Sequence, residues 1–141
     1  MTHIDKLYEL FCECGGSITT DSRTIKGGEL FFALKGENFD GNAYAEKALE
    51  AGAAYAVVGE DAECLKNSSL DSARLFPVKD TAVALRQLAL YHRRRLDIPV
   101  IGLTGTNGKT TTKELINAVL SAKFRTAATS GNFNNNIGVP L

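Results

Sequence analysis

Apolar positions along this chain follow two periods, one helical and one extended. Over residues 3–14, Ile4, Leu7, Tyr8, Leu10 and Phe11 share one side of a helical wheel, and Gly15-Gly16 stops the segment. A strand is expected around 17–21. Residues 29–34 form a compact apolar run between Gly28 and Gly36, which predicts a buried strand. Asp40-Gly41-Asn42 is turn and cap chemistry, and it predicts a helix over about 43–51 with Tyr44, Ala48 and Leu49 inward. Gly52 stands where a left-handed residue closes a helix. Residues 54–58 and 74–78 read as further strands, with a helix fragment and loop between them. Asp80 caps a helix over about 81–96, on which Leu85, Leu88, His92 and Leu96 share a face. Pro99 ends it. Residues 100–104 are wholly apolar or small and predict a strand. A helix over about 109–122 follows, with Leu115, Ile116, Val119 and Leu120 buried, and then one more strand over 125–129.

Strand and helix alternate throughout, which predicts an α/β fold with mainly parallel sheets. The weakest junction lies near residue 79, dividing the chain into 1–79 and 80–141; the Leu96-Asp97-Ile98-Pro99 stretch is an alternative boundary. Only one crossover follows the glycine-rich turn at 105–108. A nucleotide-binding sheet needs more strands than that, so a longer protein is expected.

Composition narrows the function. The chain has 141 residues, of which 44% are apolar, enough for a packed core. Sixteen Lys and Arg balance sixteen Asp and Glu, so no long-range field steers the protein to nucleic acid or an anionic membrane. Any anion must be held by a local device. Arg93, Arg94 and Arg95 fall in the last turn of the predicted helix, where cations suit the dipole, and read as a solvated helix end. Cys12, Cys14 and Cys64 contain no CxxC, and with only His3 and His92 no zinc set assembles; they read as reduced thiols. No apolar run approaches ~18 residues and no signal pattern opens the chain, so a cytoplasmic protein without a membrane span is expected.

The local device is Gly105-Thr106-Asn107-Gly108-Lys109-Thr110-Thr111, between an apolar run and an amphipathic one. A phosphate-binding loop brings backbone N–H groups onto phosphate oxygens, glycines allow the approach, and the next helix presents its positive end. Lys109 would reach the β- and γ-phosphates of a nucleoside triphosphate, and the Thr110 hydroxyl would ligate Mg²⁺. The strict G-x-x-x-x-G-K-[ST] pattern fails by one place, since Leu103 stands where its first glycine belongs, with Gly102 and Gly105 flanking it. The strand-loop-helix order restores the reading.

The string 104–112 resembles the loop of the Mur ligases, ATP-dependent peptide-bond formers of bacterial cell-wall synthesis. Asp21-Ser22-Arg23, followed by residues 30–41 (LFFALKGENFDG), is similar to the N-terminal substrate domain of that family. Residues 131–140 (GNFNNNIGVP) resemble the branch that joins D-Ala-D-Ala to UDP-MurNAc-tripeptide. The resemblance implies a substrate domain with a mainly parallel sheet and the first part of a P-loop ATPase domain. It implies ATP and Mg²⁺ as cofactors, and a reaction in which ATP phosphorylates a carboxylate that the incoming amine then attacks. Gly105, Thr106, Asn107, Gly108, Lys109, Thr110 and Thr111 would wrap the ATP phosphates. Ser22 and Arg23 would lie in the UDP pocket with Lys35, Glu37 and Asn38 on its rim, and Asn134 and Asn135 would hold the nucleotide sugar across the domain junction. A monomer is implied, and so is inactivity of this stretch by itself, since the remaining acid, the modified lysine and the last domain of the family would lie beyond it. On spacing alone, Ser22-Arg23 also reads as a strand-end turn, residues 35–38 as a solvated loop and 132–136 as a flexible loop. A sister ligase adding a diamino acid, a folate-type ligase and a nucleotide-binding scaffold remain as other readings. Asn42 departs from the family, which often has histidine there, and Asn136 stands where an acidic residue is common.

Overall fold

A computed structural model describes residues 2–36, 39–67, 71–129 and 137–140 of the chain. Helix α1 (His3–Glu13) opens on a reciprocal cap: the Asp5 N–H donates to the Thr2 hydroxyl and the Thr2 N–H donates to the Asp5 carboxylate. Strands β1 (Ile18–Thr19), β2 (Leu30–Phe32), β3 (Tyr55–Gly59) and β4 (Leu75–Val78) form one parallel sheet in the order β1-β2-β3-β4. Helix α2 (Ala45–Glu50) connects β2 to β3, and α3 (Thr81–Arg93) follows β4. The α/β expectation with a parallel sheet is met.

Strand periodicity then sorts side chains between two faces. On one, Leu30, Phe32, Val57, Phe76 and Val78 meet Leu7 and Phe11 of α1 and Ala84, Leu85 and Leu88 of α3. On the other, Phe31, Ala56 and Val58 meet Ala45, Ala48 and Leu49 of α2. Both faces of β2 are covered, so Leu30, Phe31 and Phe32 are all buried, which explains an unbroken apolar run in place of an alternating one. Arg74 ties the two ends of this layer together: its guanidinium donates to the Ala54 carbonyl at 3.0 Å and the Leu49 carbonyl at 3.3 Å, and also to the Ala53 carbonyl. A cation thereby closes the C-terminal end of α2, where carbonyls lack helical partners.

Asp80 caps α3 as expected, accepting from the Val83 N–H at 2.9 Å. The helix ends at Arg93, three residues short of the predicted 96. Two of its three terminal arginines are engaged within the chain. Arg93 donates to the carbonyls of Leu96 (3.1 Å) and Ile98 (3.3 Å). Arg95 lies 3.7 Å above the Tyr91 ring and 4.9 Å from that of Tyr8, clasping α3 to α1, while Tyr91 donates its hydroxyl proton to Asp5. Cys14 is buried, which pushes its thiol up to about 11, and Cys12 is exposed.

Three expectations need correction. Tyr44 is not inward: residues 41–44 form a tight 3₁₀ turn before α2, and the ring stands 38% exposed. Residues 100–104 and 125–129 form no strand, because no described strand pairs with their backbone; Ile101 is 60% exposed. Helix α4 (Lys109–Ser121) forms as predicted, but none of its residues is buried, and Leu115 and Val119 face solvent. Among the described residues, no helix is long and apolar enough to cross a membrane.

Candidate functional site

The carboxyl ends of parallel strands are where open α/β sheets bind ligands, because loops and helix N-termini converge there. In this sheet the turn 20–24 leaves β1, Lys35 follows β2, Asp61 follows β3 and Asp80 follows β4.

Asp21 organises the first turn. Arg23 lays its fork on the carboxylate, with Nε at 2.9 Å from Oδ1 and Nη2 at 2.7 Å from Oδ2, and the Arg23 N–H donates to Oδ1 at 2.9 Å. These bonds, the guanidinium's first and the backbone N–H next, hold the Asp21 carboxyl at about 2, below its ordinary 3.8. The folded pKa lies below the unfolded one, so this contribution to stability is complete above 3.8 and is lost as pH falls through about 2. Unfolding measured at about pH 5 and about pH 2 is therefore expected to show a larger acid loss for the wild type than for Asp21→Asn. Equal losses would show that Asp21 contributes nothing to acid sensitivity.

Beside this turn lies a groove of about 440 Å³, lined by Thr20, Asp21, Ser22, Arg23, Phe31, Phe39 and Tyr44. Its aromatic wall was not read from the sequence. Phe39 and Tyr44 stack with centroids 5.3 Å apart and planes 19° from parallel, and both rings are exposed. The wall comes from a short hairpin. Lys35 and Asp40 form an antiparallel bridge, and Gly41 donates its N–H to the Leu34 carbonyl at 2.9 Å. A Cβ on Gly41 would lie 2.5 Å from that carbonyl oxygen, so only glycine brings the turn this close to β2. The Lys35 ammonium lies 3.5 Å from Asp40 and 4.0 Å from Asp61. Ser22 and Arg23 thus line the groove and Lys35 lies near it. Glu37, Asn38, Asn134 and Asn135 lie outside the described residues.

The glycine loop runs into α4 as expected, while the strand expected ahead of it at 100–104 does not form. Gly105 and Gly108 have φ of 142° and 77°, a region that side-chain-bearing residues avoid. Gly108 is the N-cap of α4, so Lys109 and Thr110 open the helix where its N–H groups point outward. The Lys109 ammonium reaches back across the loop to the Gly105 carbonyl. Thr106, Asn107, Thr110 and Thr111 are exposed. No Cβ added at Gly102, Gly105 or Gly108 would meet another atom, so the loop is open to a phosphate chain.

Comparison with known proteins matches both halves. Residues 16–103 fit the family model "Mur ligase family, catalytic domain", and residues 103–141 fit "Mur ligase middle domain". The UDP-N-acetylmuramoyl-tripeptide–D-alanyl-D-alanine ligase of Bacillus subtilis is 47% identical over 124 residues, covering 88% of this chain and 26% of the relative. The ligase of the same name from Escherichia coli is 41% identical over 125 residues, covering 89% and 26%. Among solved structures, MurF from Acinetobacter baumannii superposes with a TM-score of 0.74 at 39% identity, over 88% of this chain and 26% of that one. MurF from Thermotoga maritima, in complex with ADP, gives 0.71 at 31% identity, over 88% and 27%. The chain therefore spans about a quarter of the length of these relatives, and it belongs to the Mur ligase family.

Proposed function

We propose that this chain supplies the nucleotide-sugar groove and the ATP-phosphate loop of a ligase that joins D-Ala-D-Ala to UDP-MurNAc-tripeptide. The observation that carries the reading is the glycine loop running into α4 with Lys109 at its head. Such a loop holds a triphosphate, and a carboxylate needs one because hydroxide and oxide are poor leaving groups. Lys109 releases the Gly105 carbonyl and turns to the phosphates, countering charge as it builds on transfer. The exposed Thr110 hydroxyl, one place further on, fits a Mg²⁺ ligand beside those phosphates; the ion would supply further charge neutralisation there. Gly105, Thr106, Asn107, Gly108 and Thr111 direct backbone and hydroxyl donors at the phosphate oxygens.

In the groove, the Phe39–Tyr44 wall offers a flat apolar face for a uracil ring, and Arg23 offers donors for a diphosphate. Ser22 adds a hydroxyl, and Lys35 adds positive charge at the rim. Asn134 and Asn135 hold the sugar-peptide part by amide hydrogen bonds. The family likeness and the 47% identical relative support this assignment. We also place the boundary between the two parts in the 96–99 link instead of at 79. Supporting this are the burial of Leu85 and Leu88 of α3 in the first core and the meeting of the two family models at residue 103.

Calorimetric titration tests the groove. UDP-MurNAc-tripeptide, with UDP alone as control, is expected to bind this chain. Arg23→Ala is expected to weaken binding by about tenfold or more, the worth of a charge-assisted hydrogen bond. Unchanged affinity in Arg23→Ala would remove the diphosphate from this groove.

A further inference from the structure

We infer that Asn42 is a positioning residue for the nucleotide groove, acting through Tyr44; this rests on the groove's reading as a UDP site. The Asn42 side chain does not face the groove's contents. Its Oδ1 accepts from the Gly59 N–H at 2.9 Å, at the carboxyl end of β3. Its own N–H donates to the Asp40 carboxylate at 2.9 Å. One side chain therefore bolts the 3₁₀ turn 41–44 to a strand it does not otherwise pair with, while Gly41 presses the same turn onto Leu34 after β2. Tyr44 is the last residue of that turn and Phe39 precedes Asp40, so both rings of the wall hang from a segment fixed at these two points.

The bolt is needed because neither ring is buried. Phe39 is 53% exposed and Tyr44 38%, so apolar packing does little to hold them. A flat platform binds a base well only when it is already in place, since ordering it on binding subtracts from affinity. The β2–β3 pairing ends at Phe32–Val57, and beyond it the Gly59 N–H donates to the Asn42 oxygen. The surrounding groups are Lys35, Asp40 and Asp61, and the neutral amide ties turn to sheet without adding a charge to that set.

The test is a double-mutant cycle on UDP affinity with this chain. Tyr44→Ala alone is expected to weaken UDP by about tenfold, the worth of one stacked base contact. Asn42→Ala is expected to weaken UDP several-fold, and to have little further effect in the Tyr44→Ala background. Asn42→His keeps a ring nitrogen in reach of the Gly59 N–H and is expected to restore most of the affinity. Asn42→Ser shortens the side chain without emptying the site and serves where Asn42→Ala does not stay folded. Undiminished UDP binding in both Asn42→Ala and Asn42→Ser, or full additivity with Tyr44→Ala, overturns the positioning role. If Tyr44→Ala leaves UDP binding intact, the groove reading itself fails.

Discussion

Phe32→Ala is expected to cost this chain about 3–5 kcal/mol, enough to unfold much of it at room temperature. Phe32 is the last residue of β2, the sheet's most enclosed strand; it has no exposed surface and packs with the inward side chains of α1 and α3. Truncation removes a large apolar side chain and leaves a cavity between the sheet and the two helices that cover it. Phe39→Ala is the matched control, the same atoms removed from a ring 53% exposed. Its loss is limited to the stacking with Tyr44, about 0.5–1.5 kcal/mol. Urea unfolding of both variants measures the contrast. A Phe32→Ala cost below about 1 kcal/mol would contradict the burial of the sheet face covered by α1 and α3.

Lys109→Ala is expected to reduce ATP affinity by about ten- to a hundredfold, the range for a lost charge-assisted hydrogen bond. UDP binding should not change, since Lys109 does not line the groove. Lys113→Ala is the control. Lys113 stands one turn further along α4, paired with Glu114 at 2.9 Å and donating to the Thr129 carbonyl. Its removal deletes an equal charge from the same helix. If both variants bind ATP equally, the loop attracts phosphate through general charge, and the assigned role of Lys109 is lost.

The core was legible because burial writes itself into local sequence. Residues 29–34 and 54–58 are apolar runs punctuated by glycine, and they became β2 and β3. Gly52, expected to be left-handed, has φ of 107°. Asp80 read as a cap and is one. The glycine loop was legible for a related reason: positive φ values and a helix start demand particular residues at particular places. Tyr44 was misread because a helical wheel assumes 3.6 residues per turn, and a 3₁₀ turn at 41–44 rotates the ring outward. Residues 100–104 were misread because an apolar run specifies burial but not a partner, and a strand exists only where another takes up its backbone. The aromatic wall escaped because its two rings, five residues apart, are brought together by the hairpin at Lys35–Asp40, a pairing no periodicity announces.

The order β1-β2-β3-β4 has a consequence for how the chain is made. Each strand lies beside the one synthesised just before it, so a nascent chain leaving the ribosome can add strands one at a time, without waiting for a distant partner. The exception is the contact of α1 with α3, whose Tyr91–Asp5 and Arg95–Tyr8 pairs join residues more than eighty apart. Until α3 emerges, α1 alone covers this face of the young sheet, and the part that Ala84, Leu85 and Leu88 will cover is open. The aromatic clasp is then the last piece of this layer to close, and the interval before it closes leaves apolar surface of this layer exposed to aggregation.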